Sequence, residues 1–243
     1  MISKIAIVIP VFNEGESLRK TLPEITLGVL ELNCDYKVIY VDDGSTDDSP
    51  KILAELKESK IYSNLEVLSL PLNVGYGGAL RSGAKLAADQ GCWGVVFMDS
   101  DLTNPPSEIP RMIQELESYD LVKASRYVKG SDASEVPLQR RIYSVFGNLL
   151  LRFLFLTSTR DITNGFRAWR LQEFLAFECK NTGFDSIIEE FYHARTRKLR
   201  ITECASILRS RGNDLRESSS SYSLRALLNY LKPGIVYFFR SLK

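Results

Sequence analysis

The sequence predicts an α/β fold in which a mainly parallel β-sheet is flanked by helices on both faces. Two observations predict it. Short apolar runs alternate with segments of helical spacing along the first half of the chain, and several of these runs end in a polar cluster. The predicted strands cover residues 4–9, 36–41, 65–70, 93–98 and 120–125. The predicted helices cover residues 14–30, 49–57 and 77–88, and a further helix begins at residues 105–107.

The second half of the chain changes character. We predict an apolar helix at 140–156, a turn and short strand at 161–170, a helix at 185–197 and a strand at 199–208. The segment from 209 to 222 is polar and contains four consecutive serines, so we expect it to be flexible. We therefore expect a catalytic domain over residues 1–212, followed at 213–243 by this Ser-rich segment and a C-terminal amphipathic segment.

Composition narrows the class of protein. A 243-residue chain can bury a sizeable core, and its net charge of +1 excludes a strongly basic nucleic-acid binder. The four cysteines are far apart and form no CxxC pair, which favours a reducing cytoplasm over a zinc or disulfide framework. We expect the chain to enter a strand at once with no signal peptide before it, and we expect no helix that spans a membrane.

Four polar clusters follow predicted strands or open the next helix: residues 13–14, 42–43, 73–78 and 99–101. Ligands of open parallel sheets bind beyond the carboxyl ends of the strands. Asp99 and Asp101 fall on the same side near the end of a strand, where two carboxylates repel each other unless a cation lies between them. A divalent metal that holds a diphosphate is one interpretation. Solvated loop acids are the other.

The ordered motifs at residues 10–14, 42–45, 73–81 and 99–101 resemble the family 2 glycosyltransferases. The segments 124–127 and 161–168 are similar to the polyprenyl-phosphate branch, typified by dolichol-phosphate mannose synthase. The resemblance covers residues 4 to about 212 and implies the GT-A fold. It also implies an inverting transfer of a hexose, with mannose favoured over glucose, from a nucleotide sugar to a polyprenyl phosphate.

The resemblance assigns residues to roles. A nucleotide-sugar site is implied for Pro10, Phe12, Glu14, Val41, Asp43, Asp99, Ser100, Asp101 and Arg126. Mg²⁺ or Mn²⁺ would be held by Asp99, Asp101 and Thr103, although many relatives have Gln at the position of Thr103. The acceptor phosphate would meet Arg140, Ser144, Arg167 and Arg211, since guanidinium groups suit phosphate oxygens. Catalysis is assigned to Asp101, Arg126 and Arg140. For Glu14 and Asp43, a helix N-terminal acid and a turn residue are the alternatives.

A phosphate acceptor would need no general base, because a phosphate monoester is already largely anionic near neutral pH. The only histidine, His193, is interpreted as structural. Transfer to a hydroxyl is the alternative, and Asp161 or Glu189 would then be the candidate base. A dinucleotide-binding oxidoreductase is disfavoured because Leu80 breaks the GxGxxG pattern. A non-catalytic sugar-nucleotide-binding subunit is a distant alternative.

We expect a peripheral location at the cytoplasmic face of a membrane. Residues 195–216 contain seven Lys or Arg and two acids, which favours either a solvated surface or a margin that meets lipid phosphates. Residues 222–242 are apolar with basic interruptions and favour either a membrane interface or packing on the protein's own core. The expected partners are therefore the sugar donor, the lipid acceptor, a membrane surface and a membrane-anchoring protein, and no nucleic acid.

Overall fold

The computed structural model describes residues 4–29, 32, 34–59, 63–209 and 224–243. One seven-stranded sheet has the order β3-β2-β1-β4-β6-β5-β7. Its strands are β1 (Lys4–Val11), β2 (Asp35–Asp42), β3 (Leu65–Ser69), β4 (Gly94–Phe97), β5 (Leu121–Ser125), β6 (Arg167–Arg170) and β7 (Ile201–Ala205). The helices are α1 (Gly15–Val29), α2 (Ser49–Glu58), α3 (Tyr76–Asp89), α4 (Ile109–Leu116), α5 (Leu138–Leu154), α6 (Leu171–Leu175), α7 (Ser186–Thr196) and α8 (Leu224–Ser241).

The mainly parallel sheet predicted from the sequence is confirmed. β1 pairs in parallel with β2 and β4, β2 pairs in parallel with β3, and β5 pairs in parallel with β7. β6 lies between β4 and β5 and is antiparallel to both, which the sequence did not predict. The central strands are buried on both faces, so they read as continuous apolar runs.

Helices cover both faces of the sheet, as expected. Side chains from α1, α2 and α4, such as Leu18, Leu53 and Met112, pack on one face. Side chains from α3 and α7, such as Leu80 and Phe191, pack on the other face, which is also covered by α5, α6 and α8. Packing on both faces holds the strands in place, so the carboxyl ends of the parallel strands β1, β2 and β4 lie together at one edge of the sheet.

Most predicted elements are present within two or three residues of their expected bounds. The helix expected from residues 105–107 begins as a 3₁₀ turn, Pro106–Glu108, and α4 follows at Ile109. One side of α8 packs on the core, where Tyr237 contacts Phe155. Among the described residues, no helix has the length and apolarity that a membrane span requires. Arg211 and most of the expected flexible segment lie outside the described residues.

Candidate functional site

The predicted convergence of polar strand ends is found at one edge of the sheet. β2, β1 and β4 are neighbours, and the loops that follow β1 and β2 are joined by side-chain hydrogen bonds. Asn13 Oδ1 accepts hydrogen bonds from the backbone N–H of Thr46 at 2.8 Å and of Asp47 at 3.2 Å. In return, the Asn13 N–H donates to Ser45 Oγ at 2.9 Å. The loops after β1 and β2 therefore form one rigid unit at the carboxyl edge.

Asn13 has a positive φ of 57°, a conformation that asparagine tolerates better than most residues. The turn leaves Phe12 48% exposed at the same edge, and Pro10 is half-buried. Glu14 directly precedes α1, and its Oε2 accepts a hydrogen bond from Ser17 Oγ at 2.8 Å. Phe12 thus offers an apolar surface on which a planar base could stack. The nucleoside contacts of Pro10, Phe12 and Glu14 stay predictions.

Asp43 ties the end of β2 to the glycine-rich turn before α3. Its two carboxylate oxygens accept the N–H groups of Val74 at 2.8 Å and Gly75 at 2.9 Å. The side chain is 3% exposed, and this burial raises the pKa of Asp43 despite the hydrogen bonds. A carboxylate offers about four lone pairs, so a nucleoside contact stays a prediction beside this structural role.

Val41 corrects the expected nucleotide-binding set. Its side chain is fully buried in the core between the sheet and α3. A Cβ atom built on Gly83 would lie 2.8 Å from Val41 Cγ2, which shows how closely the helix approaches this strand. The side chain of Val41 therefore supports the sheet and does not reach a ligand.

The acidic pair follows β4 at the same edge. Asp101 is 9% exposed, and its Oδ1 accepts hydrogen bonds from the N–H of Thr103 at 3.0 Å and its Oγ1 at 2.8 Å. Leu102 between them has a positive φ of 56°, a conformation that is sparsely populated for leucine. Ser100 is 5% exposed. The Thr103 hydroxyl thus orients Asp101, and its role as a metal ligand stays a prediction.

The donor set at this edge fits a hard divalent cation. Among the described residues, no group of three or more His, Cys, Asp or Glu side chains is arranged to hold a metal. Mg²⁺ is commonly held by one or two carboxylates together with phosphate oxygens of the substrate, and it keeps several waters. Asp99 and Asp101 would supply two carboxylates of that kind, and a diphosphate would complete the site.

Tyr76 lies near Asp99, and the sequence motifs assigned it no role. A Cβ atom on Gly165 would lie 2.8 Å from Tyr76 Oη and 3.4 Å from Asp99 Oδ2, so these two groups flank the same glycine. Burial, and then the charge of Asp99, raise the pKa of the Tyr76 phenol well above its ordinary value. Its ring stacks on Phe184 at 4.3 Å. An aromatic residue inside the glycine-rich motif was the available signal.

Arg126 follows β5 and is bound by a fully buried acid. Asp161 accepts hydrogen bonds from Arg126 N at 3.0 Å, Nε at 2.7 Å and Nη2 at 2.8 Å. Burial alone would raise the pKa of Asp161, but the charge and hydrogen bonds of Arg126 outweigh it and lower the pKa. Thr163 Oγ1 accepts a further bond from Nη2 at 2.9 Å. The Arg126 guanidinium is therefore fixed in one orientation, with 16% of the side chain exposed.

The middle of α5 lies next to this pair. Ser144 Oγ accepts a hydrogen bond from Tyr127 Oη at 2.7 Å, and Asn148 Oδ1 accepts the N–H of Ile162 at 2.7 Å. The side chain of Arg140 is exposed one helical turn before Ser144, so it lies on the same side of α5, as the sequence predicted. Ser144 thus borders the Arg126 site through Tyr127, Arg140 lies one turn before it on α5, and contact of either residue with an acceptor phosphate stays a prediction.

Arg167 is a second correction, because it cannot contact an acceptor from its position. It is 1% exposed and donates from Nε and Nη2 to the two oxygens of Glu190 at 2.6 and 2.5 Å. Its charge also lies 4.8 Å from the ring centre of Phe97.

Lys123 is equally buried and donates to the carbonyl oxygen of Asn164 at 2.6 Å. Burial, and then the charge of Arg167, lower the pKa of Lys123 to about 7.

Both candidate bases for a hydroxyl acceptor are engaged elsewhere. Asp161 is enclosed and paired with Arg126. Glu189 accepts three hydrogen bonds of 2.8 to 3.0 Å from the backbone N–H groups of Lys180 and Asn181. His193 stacks on Phe177 at 4.6 Å, and burial lowers its pKa, in agreement with a structural role. These contacts give each group a part in the fold.

The protein-family model described as glycosyl transferase family 2 matches residues 6–175. Solved structures of glucosyl-3-phosphoglycerate synthase from Mycobacterium tuberculosis are similar in fold. The complex with Mn²⁺, UDP and phosphoglyceric acid has a TM-score of 0.68 and 22% identity over 96% of this chain and 78% of that one. The complex with Mn²⁺, UDP and glucosyl-3-phosphoglycerate has a TM-score of 0.64 and 23% identity over 99% and 78%. This likeness establishes the GT-A fold, a mixed, mostly parallel sheet flanked by helices.

Proposed function

Since the chain belongs to glycosyl transferase family 2, we propose that it moves a hexose from a nucleotide diphosphate sugar to a polyprenyl phosphate. The phosphate oxygen of the acceptor attacks the anomeric carbon, and a new C–O bond forms. The bond from that carbon to the diphosphate breaks, and the nucleoside diphosphate leaves with the electron pair. Attack on the side opposite the leaving group inverts the anomeric centre.

The observation that carries this proposal is the engagement of both candidate bases. Asp161 is bound by Arg126, and Glu189 is bound by backbone N–H groups, so neither is placed to remove a proton from an acceptor hydroxyl. A phosphate monoester has a second pKa of about 6 and needs no such base near neutral pH. It needs positioning, which the fixed Arg126 and the exposed Arg140 on α5 are suited to provide.

The donor would occupy the carboxyl edge of β1, β2 and β4. Phe12 would stack on the base, and Asp99 and Asp101 would hold Mg²⁺ or Mn²⁺ on the diphosphate. When bound, the cation acts as a Lewis acid that offsets the charge on the departing diphosphate. Thr103 Oγ1 donates to Asp101 Oδ1 at 2.8 Å and would orient this carboxylate for the contact. Mannose is the favoured hexose, and glucose is the next candidate.

A soluble phosphorylated acceptor is the second candidate. A solved structure of the similar synthase contains UDP-glucose and phosphoglyceric acid, so a small phosphorylated anion is an acceptor that this fold admits. Such an acceptor would make UDP-glucose the donor. The two candidates differ in whether the product carries a lipid chain.

Transfer assays separate the candidates. Labelled GDP-mannose, UDP-glucose and UDP-N-acetylglucosamine are each incubated with the full chain, with Mn²⁺ or with EDTA, and with either a short polyprenyl phosphate or phosphoglyceric acid. We expect metal-dependent label in the organic phase with the lipid acceptor. Label on phosphoglyceric acid alone would establish the second candidate. Glycosylation of soluble alcohols without transfer to any phosphate would reject the proposal.

A further inference from the structure

Helix α5 presents an apolar stripe to solvent. Seven of its apolar side chains or those just beyond it are 45 to 70% exposed: Leu138, Ile142, Val145, Phe146, Leu149, Phe153 and Leu156. At 3.6 residues per turn they fall within about 100° of the helix circumference. In the helix itself only Asn148, Leu151 and Leu154 are buried. A monomeric soluble protein rarely exposes so many adjacent large apolar groups, so this stripe indicates an interaction surface.

Helix α8 extends the same surface. Ile235, Phe239 and Leu242 are 41 to 66% exposed and recur at helical spacing. The two helices meet where the ring of Phe153 stacks on that of Phe238 at 5.4 Å. A Cβ atom on Gly234 would lie 3.2 Å from Leu154, which shows that the helices approach closely there. The exposed apolar side chains of α5 and α8 form what we call the α5–α8 face.

The charge of these two helices differs from that of the chain as a whole. The chain has 31 Lys or Arg and 30 Asp or Glu residues, but every charged residue of α5 and α8 is basic. These are Arg140, Arg141, Arg152, Arg225, Lys232 and Arg240. Helical spacing places Arg141 and Arg152 along one border of the stripe on α5, whereas Arg140 lies on the Ser144 side and Arg240 donates to Tyr192 Oη. The α5–α8 face therefore combines exposed apolar groups with a cationic border formed on α5 by Arg141 and Arg152.

We propose that the α5–α8 face binds the surface of an anionic lipid bilayer. The apolar side chains would enter the boundary between head groups and acyl chains, and the basic side chains would meet lipid phosphates. The charges argue against a second copy of this chain as the occupant. In a two-fold dimer the α5–α8 face would meet the same face of the second copy. The basic residues at the two borders would then repel each other.

Docking in this way would bring the bilayer to the acceptor side of the site. Ser144 and Asn148, on the other side of α5, are hydrogen-bonded to Tyr127 and to the loop at Ile162 and Thr163. Arg126 is bonded to Thr163 of that same loop. The statement that the bilayer supplies the acceptor rests on the proposed function. The statement that the α5–α8 face binds lipid does not.

Sedimentation of the full chain with vesicles tests the surface. One set of vesicles contains phosphatidylcholine alone and the other also contains phosphatidylglycerol. We expect binding to the second set that weakens as salt is raised. The double variant Phe146→Glu/Leu149→Glu should bind about tenfold or more weakly. The matched control is Leu27→Glu, because Leu27 is 66% exposed on α1, on the opposite face of the sheet. It should bind as the unmodified chain does.

Three results would overturn the inference. They are no binding of the unmodified chain to anionic vesicles, an equal loss in Leu27→Glu, and a dimer in light scattering that only the double variant dissociates. The last result would assign the face to a second copy. The vesicles contain neither polyprenyl phosphate nor nucleotide sugar. Vesicle binding without sugar transfer in the separate assay would therefore reject the proposed function and support the lipid-binding face. Sugar transfer without vesicle binding would support the proposed function and reject the lipid-binding face.

Discussion

The replacement Asp161→Asn tests how the fold fixes Arg126. Asp161 has no exposed surface, and its carboxylate accepts three hydrogen bonds from Arg126. Asparagine has nearly the same shape, but it loses the charge and turns one acceptor oxygen into an NH₂ donor. That donor would face the guanidinium, which itself can only donate. The variant thus leaves the arginine charge partly buried without its counter-ion.

The expected loss of stability follows from burial. Removing one partner of a buried ion pair costs about 3 to 5 kcal/mol, and we take about 3 kcal/mol because the Arg126 side chain keeps 16% exposure. In a domain of this size each kcal/mol lowers Tm by about 2–4 °C, so Tm should fall by about 6–12 °C. Because Arg126 also loses its orientation, kcat/KM should fall by about 100-fold.

Asp120→Asn is a control with matched chemistry. Asp120 accepts hydrogen bonds from N, Nε and Nη2 of Arg200, the same three atoms that Arg126 offers to Asp161. The pair lies at the start of β5 instead of its end, and the Arg200 side chain is 56% exposed. Solvent therefore screens the Arg200 side of the interaction, and although Asp120 also lies 3.6 Å from Arg170 Nε, its loss should cost about 1 kcal/mol, less than the loss of Asp161, without reducing transfer.

Thermal unfolding at several pH values completes the test. The folded pKa of Asp161 is lowered, so the pair contributes its full stability above the unfolded carboxyl pKa of about 3.9 and loses it as the pH falls through the lower folded pKa. The Tm difference between the unmodified chain and Asp161→Asn should be full at about pH 6 and shrink below about pH 4. Equal Tm losses in both variants, or a difference that does not change with pH, would refute the reasoning.

Three further predictions concern other parts of the molecule. Gly75→Ala should lower Tm by about 4–8 °C, because Gly75 has a φ of 84° and a Cβ there would lie 2.6 Å from the Thr182 carbonyl oxygen. Gly91→Ala, with a φ of 74° and no atom within 4 Å, should cost less than half as much, and equal losses would contradict the steric argument. Asp101→Asn should weaken Mn²⁺ binding in the presence of nucleoside diphosphate, seen by electron paramagnetic resonance, and reduce transfer by more than about 100-fold; unchanged Mn²⁺ affinity would remove the proposed ligand. Lys123 has a folded pKa of about 7, below its unfolded value, so its burial costs stability at low pH and that cost fades as the pH rises toward about 10. In urea unfolding, the stability of the unmodified chain relative to Lys123→Met should therefore increase by about 2–3 kcal/mol from about pH 7 to about pH 9, and a constant difference would show that Lys123 does not titrate in this range.

The sheet could be predicted from sequence because its signals are local. Apolar runs and helical spacing place most elements close to their observed bounds. The turn chemistry is local too, since Thr103 bonds to Asp101 two residues before it and Ser45 bonds to Asp42 three residues before it. The order of strands carries less local information. β6 is four residues long and enters the sheet antiparallel between β4 and β5, which no periodicity indicates.

The sequence by itself determined the α/β class, the edge at which the polar strand ends meet, and the acidic pair. The tertiary structure decided what each arginine does. Arg126 and Arg167 are the same residue type in neighbouring motifs, but one ends at the site and the other is enclosed with Glu190, 23 residues farther along the chain. The structure also decided that Val41 belongs to the core and that Tyr76 lies beside Asp99. The reason is physical: the enclosure of a side chain depends on packing between distant segments, which local patterns do not encode.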